Sequence, residues 1–117
     1  SLGSCWTHDN KCIYVLSSAG LFKTKSVSTG GANRYSFTNS WFPGFPWRVR
    51  GNASNDILIC GEYFMLAHFN GITFKYFNEY YGYGRLTSIY QKNSLVVAVG
   101  YIIDPIHSKG IVLRGRR

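Results

Sequence analysis

The chain has 117 residues, enough for one domain, and 45% of them are hydrophobic, which excludes a disordered chain. Aromatic residues make up 17% and there are 13 glycines but only one methionine, a mix that favours strands and turns over helices. No apolar run approaches the roughly 18 residues of a membrane span. Three cysteines without a Cys-x-x-Cys pair exclude a zinc knuckle and leave at most one disulfide, such as Cys5 to Cys12.

The charge balance is strongly basic. Thirteen basic and five acidic residues give a formal net charge of +8, which favours polyanions or anionic surfaces as partners. The basic residues are dispersed, however, and pairs such as Arg48 and Arg50 alternate, which places each pair on one face of a strand. A solvated sheet face is therefore favoured over a nucleic-acid site. If the protein binds polyanions, its affinity for heparin or nucleic acid should fall steeply between about 50 and 200 mM salt, which retention on a heparin column would show.

The first unit is predicted at residues 2–38, as four short antiparallel strands. A polar turn at residues 9–11 separates strands at 2–8 and 12–16, and small residues before Leu21 separate the second from a third at 21–25. The loop at 28–31 precedes alternating polar and aromatic residues at 34–38, which indicate a fourth strand.

Two further units follow, at 46–77 and 85–115. The aromatic loop at 39–46 contains two prolines and cannot continue a strand ladder. Strands are predicted at 47–50, 56–61, 63–69 and 72–77, then, after a second aromatic loop at 78–84, at 86–90, 95–103 and 111–115. No segment has a sustained 3.6-residue apolar period with caps, so no helix is predicted.

A repeat of 39 residues links the second and third units. The apolar run that ends at Gly61 recurs in the run that ends at Gly100, and the segment around Gly71 is matched by the segment around Gly110 at the same spacing. Two landmarks at one spacing indicate a structural repeat.

Four-stranded units spaced by about 40 residues are the sequence signature of a β-propeller. The run from Asn55 to Gly61, followed by the segment from His68 to Phe74, resembles the repeats of bacterial sialidase-like and photosystem-assembly-factor-like propellers, as does the stretch from Val97 to Arg114. The Asp-box of those families is reduced to a degenerate remnant at residues 28–31. The resemblance implies an all-β propeller portion over 1–117, with a last blade that lacks its outer strand, and it favours a periplasmic or extracellular location.

Three blades do not close a ring, because closed propellers have about four to eight. An open array exposes unpaired strand edges and an apolar blade face, both of which promote association. We therefore expect self-association, or further blades, to complete the ring.

The resemblance also implies where a ligand binds. In propellers the loops between blades and the loops between second and third strands share one face. This face would gather aromatic, acidic and basic candidates, namely Trp41, Phe42, Trp47, Tyr80, Tyr81, Tyr83, Arg85, Asp104 and His107. Such a surface suits a protein or carbohydrate ligand, although the same aromatic residues could instead pack blade against blade. We predict a non-enzymatic binding or scaffold module.

The sequence provides little for catalysis or for a cofactor. Only five carboxylates are present, and they do not form the close pair that a glycoside hydrolase needs. The alternative to a binding module is a fragment of a sialidase-like hydrolase. A sialidase site has an arginine triad and a tyrosine with a glutamate partner, and these residues do not map onto the three units. His8, His68 and His107 share no ligand spacing, and neither a metal site nor a cofactor is predicted.

Overall fold

The computed structural model describes residues 2–25, 33–37, 45–103, 106 and 109–116. Over these residues the protein is all-β, with three antiparallel sheets and a single three-residue 3-10 turn, Asn78–Tyr80, but no α-helix. The predicted all-β class and its antiparallel units are confirmed. The described part of the chain contains no helix with the length and apolar character of a membrane span.

The strands follow the predicted order along the chain. The first sheet contains β1 Leu2–Thr7, β2 Ile13–Ser17, β3 Gly20–Thr24 and β4 Asn33–Ser36, paired in that order. The second contains β5 Pro46–Ala53, β6 Asp56–Gly61, β7 Leu66–Phe69 and β8 Phe74–Tyr76. The third contains only β9 Gly84–Lys92, β10 Leu95–Ile102 and β11 Lys109–Arg116.

Two predicted strands of the second unit begin later than expected, because their first residues form turns. Tyr63 and Phe64 both have φ of 57° and turn the chain before β7. The Asn70 side chain accepts backbone N–H groups of Ile72 and Thr73, at 2.9 and 2.8 Å, which holds these residues in the turn before β8.

Of the two repeat landmarks, only the first pair of segments, which end at Gly61 and Gly100, occupies equivalent positions in the second and third sheets. Ile59 of β6 and Ala98 of β10, 39 residues apart, occupy equivalent positions, but their partners Ala67 and Leu113 are 46 residues apart. The β10–β11 hairpin is longer by seven residues between these pairs, because its strands extend further and six residues instead of four connect them. The predicted match of Gly71 with Gly110 is therefore wrong, since Gly71 lies in a turn and Gly110 lies within β11.

The first strand of every sheet carries a bulge near its beginning. The bulged residues are Gly3, Trp47 and Thr87, each of which is skipped in the pairing with the second strand. In the second and third sheets, Gly61 and Gly100 of the second strand lie next to the bulge and close to the backbone of the neighbouring segment. A Cβ atom at Gly61 would overlap the Phe45 carbonyl, and the close approach therefore requires glycine.

The three sheets are stacked face to face, with the first strands β1, β5 and β9 as neighbours. One apolar layer lies between the first and second sheets and contains Tyr14, Leu16, Leu21, Val49, Ile57, Ile59, Met65, Ala67 and Phe69. The other lies between the second and third sheets and contains Leu58, Cys60, Phe64, Leu86, Ile89 and Ala98. The β6 strand is buried on both faces because it contributes side chains to both layers.

A polar network fastens one end of the second sheet to the third. The Asp56 carboxylate lies 2.8 Å from His68 Nε2 and accepts a hydrogen bond of 3.2 Å from Asn52 Nδ2. Asn52 also donates to the carbonyl of Asn93 in the next sheet, and Gln91 Nε2 donates to the carbonyl of Asp56 at 3.2 Å. These hydrogen bonds satisfy polar groups that lie at the border of the core.

Replacing either repeat glycine with alanine should destabilise the fold. A Cβ atom at Gly100 would overlap the carbonyl of Arg85 and lie 2.8 Å from the Leu86 Cα atom, so neighbouring backbone would have to move. We expect Gly61→Ala and Gly100→Ala each to lower the free energy of unfolding by about 1–3 kcal/mol in urea denaturation. The control Gly110→Ala, whose Cβ atom would have no neighbour nearer than 3.9 Å, should change it by less than about 0.5 kcal/mol.

Candidate functional site

A pocket of about 500 Å³ opens where β9 begins, at the end of the molecule opposite the Asp56 network. Its lining comes from the turn after β6, from the segment that leads into β9 and from the end of β10, namely Glu62, Tyr63, Tyr83, Gly84, Arg85 and Ile103. The second and third sheets therefore build the pocket together.

The turn at residues 62–65 has a backbone conformation that its side chains disfavour. Tyr63 and Phe64 both occupy the left-handed region, which costs about 1–2 kcal/mol for each residue other than glycine. Hydrogen bonds hold the turn, because the Tyr63 N–H donates to the Gly84 carbonyl at 2.7 Å and the Gly82 N–H donates to the Tyr63 carbonyl at 3.2 Å. Strained residues fixed in this way are characteristic of ligand sites.

The Phe64 side chain anchors this turn. Its ring is buried in the second apolar layer and passes directly beside the backbone of Gly82 and Gly84. A Cβ atom at Gly84 would overlap both the Phe64 ring and the Tyr101 carbonyl. Glycine at 84 therefore lets β9 begin beside the ring, and it fixes the position of the next residue, Arg85.

Arg85 lies between two aromatic rings. The centre of its guanidinium group is 5.4 Å from the Trp47 ring centroid and 5.7 Å from that of Tyr101, both within cation–π range. Its only carboxylate neighbour among the described residues is Glu62, whose Oε1 atom is 4.0 Å from Nη2, which is too long for a hydrogen bond. The arginine is therefore positioned by stacking rather than by a tight ion pair.

Two buried donors at this site have no acceptor. Trp47 Nε1 and Arg85 Nε are both inaccessible to solvent and make no hydrogen bond to the described part of the chain. An unpaired buried donor costs about 1–3 kcal/mol, and here two occur on side chains in direct contact. An acceptor that entered the pocket would offset this cost.

Two tyrosines, Tyr63 and Tyr83, line the pocket. Tyr63 and Tyr81 stack with their centroids 5.9 Å apart and an interplanar angle of 13°. Tyr83 lines the pocket, yet 77% of its surface is exposed. Exposed rings beside a cation offer flat apolar faces next to a charge, an arrangement that suits a ring bearing an acidic group.

Of the predicted site residues, Tyr83 and Arg85 line the pocket, Trp47 contacts Arg85, and Tyr81 stacks on the pocket residue Tyr63. Tyr80 instead lines a separate groove between the second and third sheets. Trp41, Phe42, Asp104 and His107 lie outside the described residues.

Sequence reasoning missed Glu62, Tyr63 and Tyr101. The expected face included loops between second and third strands, and Glu62 follows β6 directly, but Tyr63 was assigned to a strand. The guanidinium groups of Arg48 and Arg50 donate to carbonyls of their own strand, at 3.3 and 2.7 Å.

The described residues offer little alternative chemistry. They contain no group of three or more His, Cys, Asp or Glu side chains arranged to hold a metal. All three cysteines are free thiols, and burial raises the pKa of Cys60 to about 12, so that this thiol is protonated at neutral pH and unsuited to nucleophilic attack.

Comparisons of the chain with family models, with curated proteins and with solved structures found no match. Inference about function therefore depends on the geometry of the pocket.

The substitution Arg85→Met should leave the fold nearly as stable, because it keeps an apolar stem between the rings and removes an unpaired buried donor. We expect the free energy of unfolding to change by less than about 1 kcal/mol, or to rise, in urea denaturation. Arg34→Met, at an exposed position, is the control for loss of one positive charge. A loss of more than about 2 kcal/mol specific to Arg85 would show that the arginine supports the fold instead of a ligand site.

Proposed function

We propose that this chain forms three consecutive blades of a β-propeller and acts as a non-enzymatic binding module, with a ligand site at the Arg85 pocket. The observation that carries this proposal is a pair of buried donors without an acceptor among the described residues, Arg85 Nε on a residue that lines an open pocket and Trp47 Nε1 on the ring that contacts Arg85. The ligand is a small molecule or an exposed group of a larger one that presents a carboxylate next to a ring.

Three features support the propeller architecture. The first two sheets have four strands in sequential order, and the third has the first three strands of the same order. The first strands of all three sheets are neighbours, as expected for strands around a common axis. A bulge recurs at the same point of each first strand, at Gly3, Trp47 and Thr87.

The chemistry of the site favours a carboxylate. Arginine binds carboxylates through paired, charge-assisted hydrogen bonds, and the indole N–H is an additional donor. Glu62 is close enough to attract Arg85 but too far to bond it, so a ligand carboxylate would bind with less competition. Because the exposed ring of Tyr83 also lines the pocket, a sugar acid combines both requirements.

Glucuronate should shift the indole N–H resonance of Trp47 in a nitrogen–proton correlation spectrum. The chain has three tryptophans, so Trp47→Phe identifies the signal by its disappearance. We expect a saturable downfield shift, because the proton acquires an acceptor, and we expect Arg85→Gln to abolish it. Arg34→Gln, which removes the same charge from an exposed position, should retain it.

Glucose is the matched probe without a carboxylate. At concentrations at which glucuronate saturates the shift, glucose should leave the indole N–H chemical shift of Trp47 unchanged. An identical response to both sugars would contradict recognition of the carboxylate, and the absence of a saturable shift with glucuronate at tens of millimolar would contradict the sugar-acid site.

The outer face of the third sheet supports the stacking of a further unit. By the 39-residue offset, Val97 and Val99 are equivalent to Leu58 and Cys60, which are buried against the third sheet. Val112 of β11 pairs with Val99, and 67% of its surface is exposed. A face that is buried in one sheet and exposed in the next is suited to cover by another blade, from a second copy or from further chain.

Light scattering should detect this association in the protein of 117 residues. We expect larger species at micromolar concentration, and Val99→Glu should return the protein to a monomer because it places a charge on the apolar face. The control Ile72→Glu changes a residue that is 80% exposed in a turn and should not affect association. A wild-type protein that stays monomeric would rule out stacking between copies.

A further inference from the structure

Glu62 and Arg85 are the only charged residues among the described residues that line the Arg85 pocket. They pair across the junction of the second and third sheets in an isolated antiparallel bridge. Residues directly opposite each other in an antiparallel pair project their side chains to the same side. The fold therefore places one negative and one positive side chain next to each other in the wall of the pocket.

The backbone of Glu62 is held by two hydrogen bonds. Its N–H donates to the carbonyl of Phe45 at 2.9 Å, and its carbonyl accepts from the N–H of Met65 at 3.0 Å. The side chain of Glu62 is only 23% exposed. A partly buried carboxylate is thus fixed beside the pocket, although most carboxylates lie in water.

The two charges do not satisfy each other. Glu62 Oε1 is 4.0 Å from Arg85 Nη2, and within the described part of the chain the Glu62 carboxylate accepts no hydrogen bond. Contacts with the rings of Trp47 and Tyr101 hold the guanidinium group, and its buried Nε lacks an acceptor. The carboxylate and the guanidinium group both therefore retain hydrogen-bonding capacity for a ligand.

A ligand that carries only a carboxylate would satisfy one of these two charges and oppose the other. When bound to Arg85, its carboxylate would lie near that of Glu62, and like charges repel strongly where water is partly excluded. A positive group on the ligand would remove this repulsion and donate charge-assisted hydrogen bonds to Glu62. The ligand that suits both side chains is a zwitterion.

The distance between the two side chains restricts the spacing of the ligand charges. Because Oε1 and Nη2 are 4.0 Å apart, the ammonium and carboxylate groups must also be neighbours in the ligand, as they are in an α-amino acid. The wall beside them is apolar, since Tyr83 and Ile103 line the pocket and are 77% and 53% exposed. An apolar ring on the ligand would pack there.

We propose that the pocket selects a zwitterionic α-amino acid that bears a ring. Its carboxylate binds Arg85, its ammonium group binds Glu62 and its ring packs on Tyr83. This selection depends on the carboxylate site proposed above for Arg85, and it adds Glu62 as the residue that determines specificity. Glucuronate offers Glu62 only neutral hydroxyl donors, which form weaker hydrogen bonds than an ammonium group.

Three ring acids of the same size test the requirement for two adjacent charges. Cyclohexanecarboxylate has the ring and the carboxylate alone, pipecolate has an ammonium group beside the carboxylate, and isonipecotate has the ammonium group across the ring. Each is titrated at neutral pH while the indole N–H signal of Trp47 is followed. We expect the Kd of pipecolate to be at least about tenfold lower than that of either other acid.

The substitution Glu62→Gln removes the charge and keeps the size of the side chain. We expect it to weaken pipecolate binding about tenfold or more, because the ammonium group loses its ionic partner. It should leave cyclohexanecarboxylate binding unchanged or tighter, because the repulsion disappears. The control Glu79→Gln removes the same charge from an exposed position in the 3-10 turn and should alter neither affinity.

Equal affinities for pipecolate and cyclohexanecarboxylate in the wild-type protein would overturn the selection of a zwitterion, whatever the effect of the variant on folding. An equal loss for both acids in Glu62→Gln would do the same, because it would assign Glu62 a structural role. Isonipecotate binding as tight as that of pipecolate would contradict the adjacent charges. If none of the acids shifts the Trp47 signal, the carboxylate site itself is contradicted, whereas a shift with cyclohexanecarboxylate and no gain with pipecolate rejects only the selection by Glu62.

Discussion

The contact between the turn at residues 62–65 and the start of β9 is the constraint on which the site depends. The Phe64 ring packs beside the backbone of Gly82 and Gly84, and the Tyr63 N–H bonds to the Gly84 carbonyl. This packing offsets the cost of two left-handed residues, and it joins the second and third sheets where β9 begins. Arg85 follows directly, so its position between two rings results from the same contact. The pocket is consequently a product of how two sheets meet, and neither sheet forms it alone.

The two ends of the sheets differ in how well their polar groups are satisfied. At one end, Asp56 accepts from Asn52 and lies beside His68, and Gln91 extends the network to the next sheet. At the other end, two buried donors lack acceptors. Proteins commonly retain such unfavourable groups where a ligand is bound, because optimising a site for stability removes the interactions left open for the ligand. The proposed ligand site therefore lies at the end of the sheets where buried donors are unsatisfied, and the satisfied polar network lies at the other end.

The third sheet departs from the repeat in a way that alters its surfaces. Its second and third strands have eight residues each, and the connection between them is longer than in the second sheet, so the equivalent of Phe69 is Gly115. A large buried ring is thereby replaced by open space beside β11. Its outer apolar face is exposed where the equivalent face of the second sheet is buried.

The sequence by itself determined the strands and their antiparallel grouping, because alternation and turn residues act over a few positions. It also marked Gly61 and Gly100 as equivalent positions, since two similar apolar runs end in glycine 39 residues apart. The match of Gly71 with Gly110 failed because a spacing in sequence does not reveal the length of a hairpin. Only the tertiary structure decided that Tyr63 and Phe64 form a turn, as nothing in Glu62-Tyr63-Phe64 favours positive φ without the packing of Phe64 on β9. It also decided which aromatic residues meet Arg85, because those contacts join strands far apart in the chain and depend on bulges that the sequence does not show.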